Sequence, residues 1–110
     1  MTEAPWKRVA SLASMDEDEP KAVFVDGKTI ALYLLDGDVY ATGNECTHAF
    51  AMMSDGFIEE GKIFCPLHQG SFDIKTGAAV DEPCEEALET FPVKSRRRRH
   101  LRADVTVGEP

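Results

Sequence analysis

Two short pairs of cysteine and histidine constrain this chain more than any other feature of its sequence. The first pair, Cys46 and His48, has the pattern C-x-H; the second, Cys65 and His68, has the pattern C-x-x-H and begins after a gap of sixteen residues. The chain has three cysteines and three histidines in all, so chance does not readily explain two of each in paired spacings. A fold that brings both pairs together would offer two sulfur and two nitrogen ligands to a metal centre.

Two kinds of metal centre accept this ligand set. A structural zinc ion prefers a tetrahedral shell such as Cys₂His₂, but zinc-finger sequences usually place the two cysteines together, followed by the two histidines. Here each half supplies one of each. A [2Fe–2S] cluster can take both thiolates on one iron and both imidazoles on the other. The mixed order therefore favours an iron–sulfur cluster, with a zinc module as the alternative.

Length and composition indicate one small domain over residues 1–110, in which apolar residues make up 43%. A bound metal centre would help to stabilise a core of this size. The sequence has neither the apolar run of a membrane span nor that of a signal peptide near its N-terminus, so we expect a soluble, cytoplasmic protein. With two cysteines assigned to metal, a disulfide framework is not expected. The third, Cys84, lies in an acidic stretch and is interpreted as a passive thiol.

The charge balance limits the possible partners. Twelve basic and twenty acidic residues give a net charge of −8. This argues against nucleic acid or an anionic membrane as a partner. It fits a carrier that is steered to positively charged protein surfaces, although an acidic surface also serves solubility alone.

The first half of the chain has a pattern typical of antiparallel strands. Apolar runs rich in β-branched and aromatic residues span 22–25, 29–35 and 39–42, and Asp-Gly pairs separate them. Asp-Gly between such runs is a strong hairpin signal, so the sequence predicts an antiparallel meander. Residues 15–21 are acidic and contain a proline, and are expected to form an exposed loop or at most one helical turn.

Glycines and other turn residues recur between about 43 and 83, with short strands predicted at 56–59, 62–65 and 71–74. Both Cys/His pairs lie in this segment, each after a predicted strand. Loops around a cluster need glycine because their backbone must approach inorganic sulfide closely. We therefore predict an inserted cluster-binding subdomain over about 43–83.

Strands return after Pro83, with segments predicted at 87–91, 92–94 and 101–107. Both ends of the chain, about 5–42 and 84–107, are thus expected to form one β base, and the chain is assigned to the all-β class. The basic run Arg96–Arg99 and the following His100 are interpreted as an exposed hairpin turn within this base.

The quoted motifs resemble the Rieske-type ferredoxins of bacterial aromatic-ring-hydroxylating dioxygenases, the naphthalene dioxygenase type in particular. The resemblance covers about 23–105, and its most specific segments are 43–49, 53–56, 65–70 and 72–73. It implies a Rieske fold, in which small antiparallel sheets form a β-sandwich or barrel-like base that carries the cluster-binding subdomain. It also implies that Cys46 and Cys65 bind the inner iron of one [2Fe–2S] cluster and that His48 and His68 bind the outer iron.

The resemblance implies a one-electron carrier without turnover of its own and without a small-molecule substrate. Its expected partners are a ferredoxin reductase that uses FAD and NAD(P)H, and a terminal Rieske non-haem iron oxygenase. An oxygenase needs a further iron held by two histidines and a carboxylate, and only His100 is left over. A small Rieske-like subunit of a nitrite reductase, or a donor to another class of Rieske oxygenase, is the alternative. Residues expected to shield the cluster or dock partners surround the ligands: Ala49, Phe50, Met52, Met53, Pro66, Leu67 and Gln69.

Departures from the respiratory Rieske proteins predict a low reduction potential. Those relatives carry an extra cysteine in each ligand loop, where this chain has Phe50 or Ala51 and Leu67. They also place serine and tyrosine hydroxyls against the cluster, where this chain has Gly70 and Phe72. Loss of hydroxyl donors disfavours the more negative reduced state. We therefore predict a potential near the low end of the Rieske range of about −150 to +300 mV.

Overall fold

The computed structural model describes residues 7–11, 14–17, 19–25, 27–47, 51–66, 70–81, 86–95 and 104–108. These residues form eleven strands and a 3₁₀ turn at Met53–Asp55, with no α-helix among them. The strands are β1 (Lys7–Ser11), β2 (Lys21–Val25), β3 (Lys28–Leu35), β4 (Asp38–Gly43), β5 (Phe57–Glu59), β6 (Lys62–Phe64), β7 (Ser71–Asp73), β8 (Ala79–Asp81), β9 (Thr90–Phe91), β10 (Val93–Ser95) and β11 (Asp104–Val107). Within this part of the chain, no helix has the length and apolar character needed to cross a membrane.

The strands form three antiparallel sheets. The first sheet has the order β1-β11-β10, the second β2-β3-β4-β9 and the third β5-β6-β7-β8. The first sheet joins strands from both ends of the chain, and the second adds β9 to the predicted meander. The third sheet lies wholly between residues 57 and 81. The all-β class predicted from the sequence is confirmed.

Strand β3 is the central element because both of its faces are buried. Ile30, Leu32 and Leu34 point into a core that the first and second sheets share. The intervening residues Ala31 and Tyr33 enter a second core, which contains side chains of the third sheet and both Cys46 and Cys65. Successive side chains of a strand point to opposite faces, so one strand contributes to both cores at once.

Local turn chemistry explains the meander. Strands β3 and β4 are joined through Asp36 and Gly37, which have φ values of 51° and 87°. Two positive φ values in succession make a tight turn whose twist matches its flanking strands, and Asp-Gly suits it. The carboxylate of Glu17 accepts hydrogen bonds from the backbone N–H groups of Asp36 and Gly37, at 3.1 and 3.3 Å.

In the segment 15–21, Asp16, Glu17 and Glu19 are exposed as predicted, but Met15 is not. The side chain of Met15 is buried in the core between the first and second sheets, and Glu17 holds the β3–β4 turn. The strand predicted at 87–91 is also shorter than expected, since only Thr90 and Phe91 pair in a sheet. The residues before them leave the sheet because Leu88 donates its N–H to the carbonyl of Gly77, at 2.8 Å.

The basic run Arg96–Arg99, His100 and Cys84 lie outside the described residues. The flanking strands β10 and β11 are antiparallel neighbours, with Ser95 opposite Val105. This pairing agrees with a hairpin connection, while the exposure of the basic run stays a prediction.

Candidate metal centre

The first predicted ligand loop (loop 1, residues 46–51) begins directly after an antiparallel pair. Glu45 and Met52 face each other in an isolated bridge. The next residue, Cys46, donates its backbone N–H to the carbonyl of Ala51, at 2.9 Å. Loop 1 is thus closed at its base, and its cysteine occupies the first position inside the closure.

The second predicted ligand loop (loop 2, residues 65–70) has the same construction. Phe64 of β6 faces Ser71 of β7, and Cys65 donates its backbone N–H to the carbonyl of Gly70, at 2.8 Å. In both loops the cysteine N–H bonds the carbonyl five residues later. The two loops are therefore equivalent closures, although their residues other than cysteine and histidine differ.

The two cysteines that begin loops 1 and 2 are both buried. Cys46 is 7% exposed and Cys65 is 0% exposed, and both belong to one core with Met53 and Phe72. Apolar surroundings exclude water from thiolate ligands, and metal charge stabilises their deprotonated form. The donor chemistry and its burial fit an inner metal atom held by two sulfurs.

A buried asparagine fixes the start of loop 1. The side chain of Asn44 is 2% exposed. Its amide nitrogen donates to the hydroxyls of Thr29 and Ser54, at 3.0 and 3.1 Å, and its amide oxygen accepts the backbone N–H of Ser54, at 2.7 Å. One side chain thereby ties the residues before Cys46 to β3 and to the 3₁₀ turn.

Comparison with known proteins identifies the family of this chain. The sequence profile of the Rieske [2Fe–2S] domain matches residues 5–92. The chain belongs to the Rieske [2Fe–2S] family. The ferredoxin component of the naphthalene 1,2-dioxygenase/salicylate 5-hydroxylase systems of Ralstonia sp is 48% identical over 94 residues, which cover 86% of this chain and 90% of that protein.

Solved structures similar to this chain include ferredoxins as well. The Sphingomonas yanoikuyae B1 ferredoxin has a TM-score of 0.85 and 38% identity, over 98% of this chain and all of that one. A chain in the complex of reduced oxygenase and oxidised ferredoxin of carbazole 1,9a-dioxygenase has a TM-score of 0.84 and 29% identity, over 96% of this chain and 94% of that one. This Rieske domain therefore carries a [2Fe–2S] cluster and is an electron-transferring ferredoxin rather than a catalyst.

The predicted histidine ligands of the Rieske domain, His48 and His68, lie outside the described residues, as do Ala49, Phe50, Leu67 and Gln69. The structure does describe the three other residues predicted to shield or dock. Met52 is 38% exposed and Pro66 is exposed, whereas Met53 is 0% exposed. Met53 can therefore shield the buried cysteines but cannot form part of a docking surface.

Gly56, the last residue of the motif 53–56, allows a close contact with the strand that leads into Cys65. Gly56 has a φ of −88°, which any residue adopts. A Cβ atom at this position would nevertheless overlap the carbonyl oxygen of Phe64. The 3₁₀ turn after loop 1 thus packs directly on the strand that leads into loop 2, and only glycine leaves room for that contact.

The segment 86–89, termed the strap, connects three parts of the Rieske domain. The backbone carbonyl of Glu86 accepts the hydroxyl of Thr47 in loop 1, at 2.8 Å. Leu88 donates to Gly77 beyond β7, and the carbonyl of Glu89 accepts the N–H of Gly43 at the end of β4, each at 2.8 Å. The strap therefore holds loop 1 against both the second and the third sheets.

A small polar network lies beside loop 2. Ser71, which follows Gly70, donates its hydroxyl to Asp81 Oδ2, and Lys62 Nζ lies 3.6 Å from the same oxygen. The hydrogen bond from Ser71, followed by the nearby charge of Lys62, lowers the pKa of Asp81 despite partial desolvation. The network ties β6, β7 and β8 together at the edge where loop 2 begins.

Tyr33 makes a buried hydrogen bond on the side of β3 that faces the core with the two cysteines. Its hydroxyl lies 2.8 Å from Thr42 Oγ1, which in turn donates to the carbonyl of Gly43, at 2.9 Å. Because the hydroxyl of Thr42 is committed as a donor, Tyr33 donates to it. Burial raises the pKa of Tyr33 strongly, so the phenol stays neutral and joins β3 to the end of β4.

Proposed function

We propose that this protein is the ferredoxin component of an aromatic-ring dioxygenase system of the cytoplasm. It takes electrons singly from a reductase that uses FAD and NAD(P)H, and passes them to a terminal Rieske non-haem iron oxygenase. The observation that carries the proposal is the pair of equivalent loops on a compact ferredoxin fold, each presenting a buried cysteine. The similarity to dioxygenase ferredoxins over most of the chain supports the choice of system.

We assign the ligands as Cys46 and Cys65 on the inner iron, and His48 and His68 on the outer iron. The burial of both thiols supports the inner assignment. In the sequence each histidine falls within a loop whose closure begins at the preceding cysteine, which supports the outer assignment. When bound, a Rieske cluster supplies a one-electron couple that the histidine ligands raise in potential relative to an all-cysteine cluster.

The chain's own residues hold and shield this centre. The backbone bonds at the base of the two loops fix the cysteines, while Met53 and Phe72 exclude water from their buried side. We assign loops 1 and 2 together with the third sheet to a cluster-binding subdomain of about 43–83, and the remaining strands to the base. Both loops and all four strands of the third sheet fall within these bounds.

The ligand assignment is tested by substitution and spectroscopy. Cys46→Ser and His68→Ala should lose the electron paramagnetic resonance signal of the reduced Rieske cluster, which has a low average g value. Cys84→Ser and His100→Ala are matched controls, since they remove the cysteine and the histidine outside the assigned set, and should keep the signal and the bound iron. Loss of the Rieske signal in either control, or its survival in Cys46→Ser or His68→Ala, would contradict the assignment.

The role in a dioxygenase system is tested by replacement. The reductase and oxygenase components of the Ralstonia naphthalene system are combined with this ferredoxin in place of their own, and oxidation of naphthalene is measured. We expect turnover that depends on added ferredoxin, and none with this protein alone. If the Ralstonia ferredoxin supports oxidation while this chain leaves it at the background rate, the proposed role is wrong.

A further inference from the structure

A groove of about 590 Å³ lies beside loop 1. Its walls come from three parts of the chain that are distant in sequence: the β2–β3 hairpin, loop 1 with its flanking residues, and the strap. Phe24 and Met52 supply apolar surface, Thr47 lies on the side of loop 1, and Glu89 lies on the side of the strap. The groove therefore borders the residue before His48, which we assign to the outer iron.

The apolar surface of this groove is unusually open to solvent. Phe24 is 76% exposed, more than any other large apolar side chain in the described part of the molecule, and Met52 is the second large apolar side chain of the groove that is exposed. Aromatic residues dominate the binding energy of protein interfaces, so an exposed aromatic side chain framed by polar residues is a candidate anchor for a partner. The fold itself does not require an aromatic residue at position 24.

Phe24 is also linked to loop 1 through short contacts. It stands opposite Thr29 in the β2–β3 pair. Thr29 accepts the side-chain N–H of Asn44 through its hydroxyl and the backbone N–H of Asn44 through its carbonyl, at 3.0 and 3.2 Å. A partner seated on Phe24 would thus be held in a fixed position relative to Cys46.

The charged residues of the groove indicate the chemistry of its occupant. Glu45 and Glu89 are exposed carboxylates in its lining, with Lys28 at the hairpin side, and Glu86 is exposed on the adjoining strap. The whole chain carries a net charge of −8. An occupant that places a lysine or arginine beside an apolar side chain would match both the carboxylates and the exposed Phe24.

We propose that this groove is the docking site of the terminal oxygenase, which inserts a segment carrying a basic residue next to an apolar one. The inference rests on the proposed function. Reduction adds one negative charge to the centre beside Cys46, so a cationic segment at loop 1 binds the reduced carrier more tightly than the oxidised carrier. The electron acceptor must select the reduced carrier, whereas the reductase must release it. Cationic docking at this position therefore suits the oxygenase.

The aromatic contact is tested with Phe24→Thr, which keeps a β-branched residue on the strand. The matched control is Val80→Thr, an exposed apolar position on β8 that does not line the groove. Binding of each reduced ferredoxin to the Ralstonia naphthalene oxygenase is measured by calorimetry. Phe24→Thr should raise the Kd about tenfold, as expected for truncation of an interface aromatic. It should raise the KM for ferredoxin similarly, with kcat, the Rieske signal and the melting temperature unchanged.

The charge contribution is tested with Glu89→Gln against Glu59→Gln, an exposed carboxylate on β5 outside the groove. At low salt, Glu89→Gln should raise the Kd about threefold. Because salt screens exposed charges, the difference from wild type should disappear as ionic strength rises. Glu59→Gln should leave the Kd and its salt dependence close to those of wild type.

The outcomes separate this inference from the proposed function. If wild-type ferredoxin supports naphthalene oxidation but Phe24→Thr binds the oxygenase as tightly as wild type, the groove proposal is overturned while the proposed function stands. If Val80→Thr weakens binding to the oxygenase as much as Phe24→Thr does, the groove proposal is also overturned. If Phe24→Thr raises the KM for ferredoxin only in the reaction with the reductase, the groove belongs to the reductase and the oxygenase is rejected as its occupant. Failure of wild type to support turnover contradicts the proposed function instead.

Discussion

The contact between Gly56 and Phe64 gives a sharp test of how the two ligand loops depend on each other. In Gly56→Ala the new Cβ would overlap the carbonyl oxygen of Phe64, and would also lie 3.1 Å from the carbonyl carbon of Phe64 and 3.3 Å from the carbonyl oxygen of Met53. Real Cβ atoms essentially never approach heavy atoms closer than 3.0 Å. The substitution therefore requires the backbone to move.

The affected backbone has little freedom to move. Phe64 is paired with Phe57 on one side and with Ser71 on the other, and it precedes Cys65 directly. Forcing extra volume into well-packed structure costs about 1–3 kcal/mol, and the obstacle here is backbone rather than a flexible side chain. We therefore expect a loss at the upper end, about 3 kcal/mol, which corresponds to a fall of roughly 15 °C in the melting temperature.

The assay combines thermal unfolding with iron analysis of the purified protein. Gly56→Ala should melt at the lower temperature and hold less iron per chain, because displacement of β6 moves Cys65 away from its position opposite loop 1. Gly43→Ala is the matched control, since a Cβ at Gly43 would meet nothing within 4 Å. Its stability should lie within about 0.5 kcal/mol of wild type. A Gly56→Ala protein with wild-type melting temperature and full iron content would refute the reasoning.

Three further predictions concern the surroundings of the site. Asn44→Ala leaves the part-buried N–H of Ser54 without its acceptor and should lower the free energy of unfolding by about 2 kcal/mol, measured by urea titration with Ser54→Ala as a milder comparison. Because the pKa of Asp81 is lowered in the fold, the stability it contributes should be present at neutral pH and lost as pH falls through that lowered pKa. Asp81→Asn should remove this pH dependence. The prediction is contradicted if wild type stays more stable than Asp81→Asn by the same amount at pH values below the pKa of Asp81. A redox titration should place the potential near the low end of about −150 to +300 mV, since Phe72 offers no hydroxyl, and a value well above zero would contradict this.

The strands that the sequence predicted correctly have strong local signals. The apolar run of β3 and the Asp-Gly turn at 36–37 depend on neighbouring residues alone, and the structure confirms the meander they predict. Strands β1 and β8 were missed because they carry charged residues and each pairs with its neighbour through a register irregularity. Their assignment depends on partners that a local pattern does not reveal.

The candidate site, too, has features that the sequence predicts and features that only the structure shows. The pairing of Cys46 with His48 and of Cys65 with His68 is visible as spacing, because the chemistry of a Rieske cluster requires those residue types. The role of Asn44 is not visible, since asparagine in a glycine-rich stretch reads as an ordinary turn residue. Its burial and its bonds to Thr29 and Ser54 exist only when three segments meet.

The sequence by itself therefore determined the all-β class, because short runs of apolar and turn residues carry that information, and its two Cys/His pairs predicted a metal centre by their spacing. The electron-carrier role came from the resemblance of its motifs to a known family. The tertiary structure decided which side chains stand around the loops. It buried Met53 and Met15, left Phe24 exposed beside Thr47, and placed Gly56 against the backbone of Phe64. The physical reason is that burial and close approach depend on contacts between segments far apart in the chain.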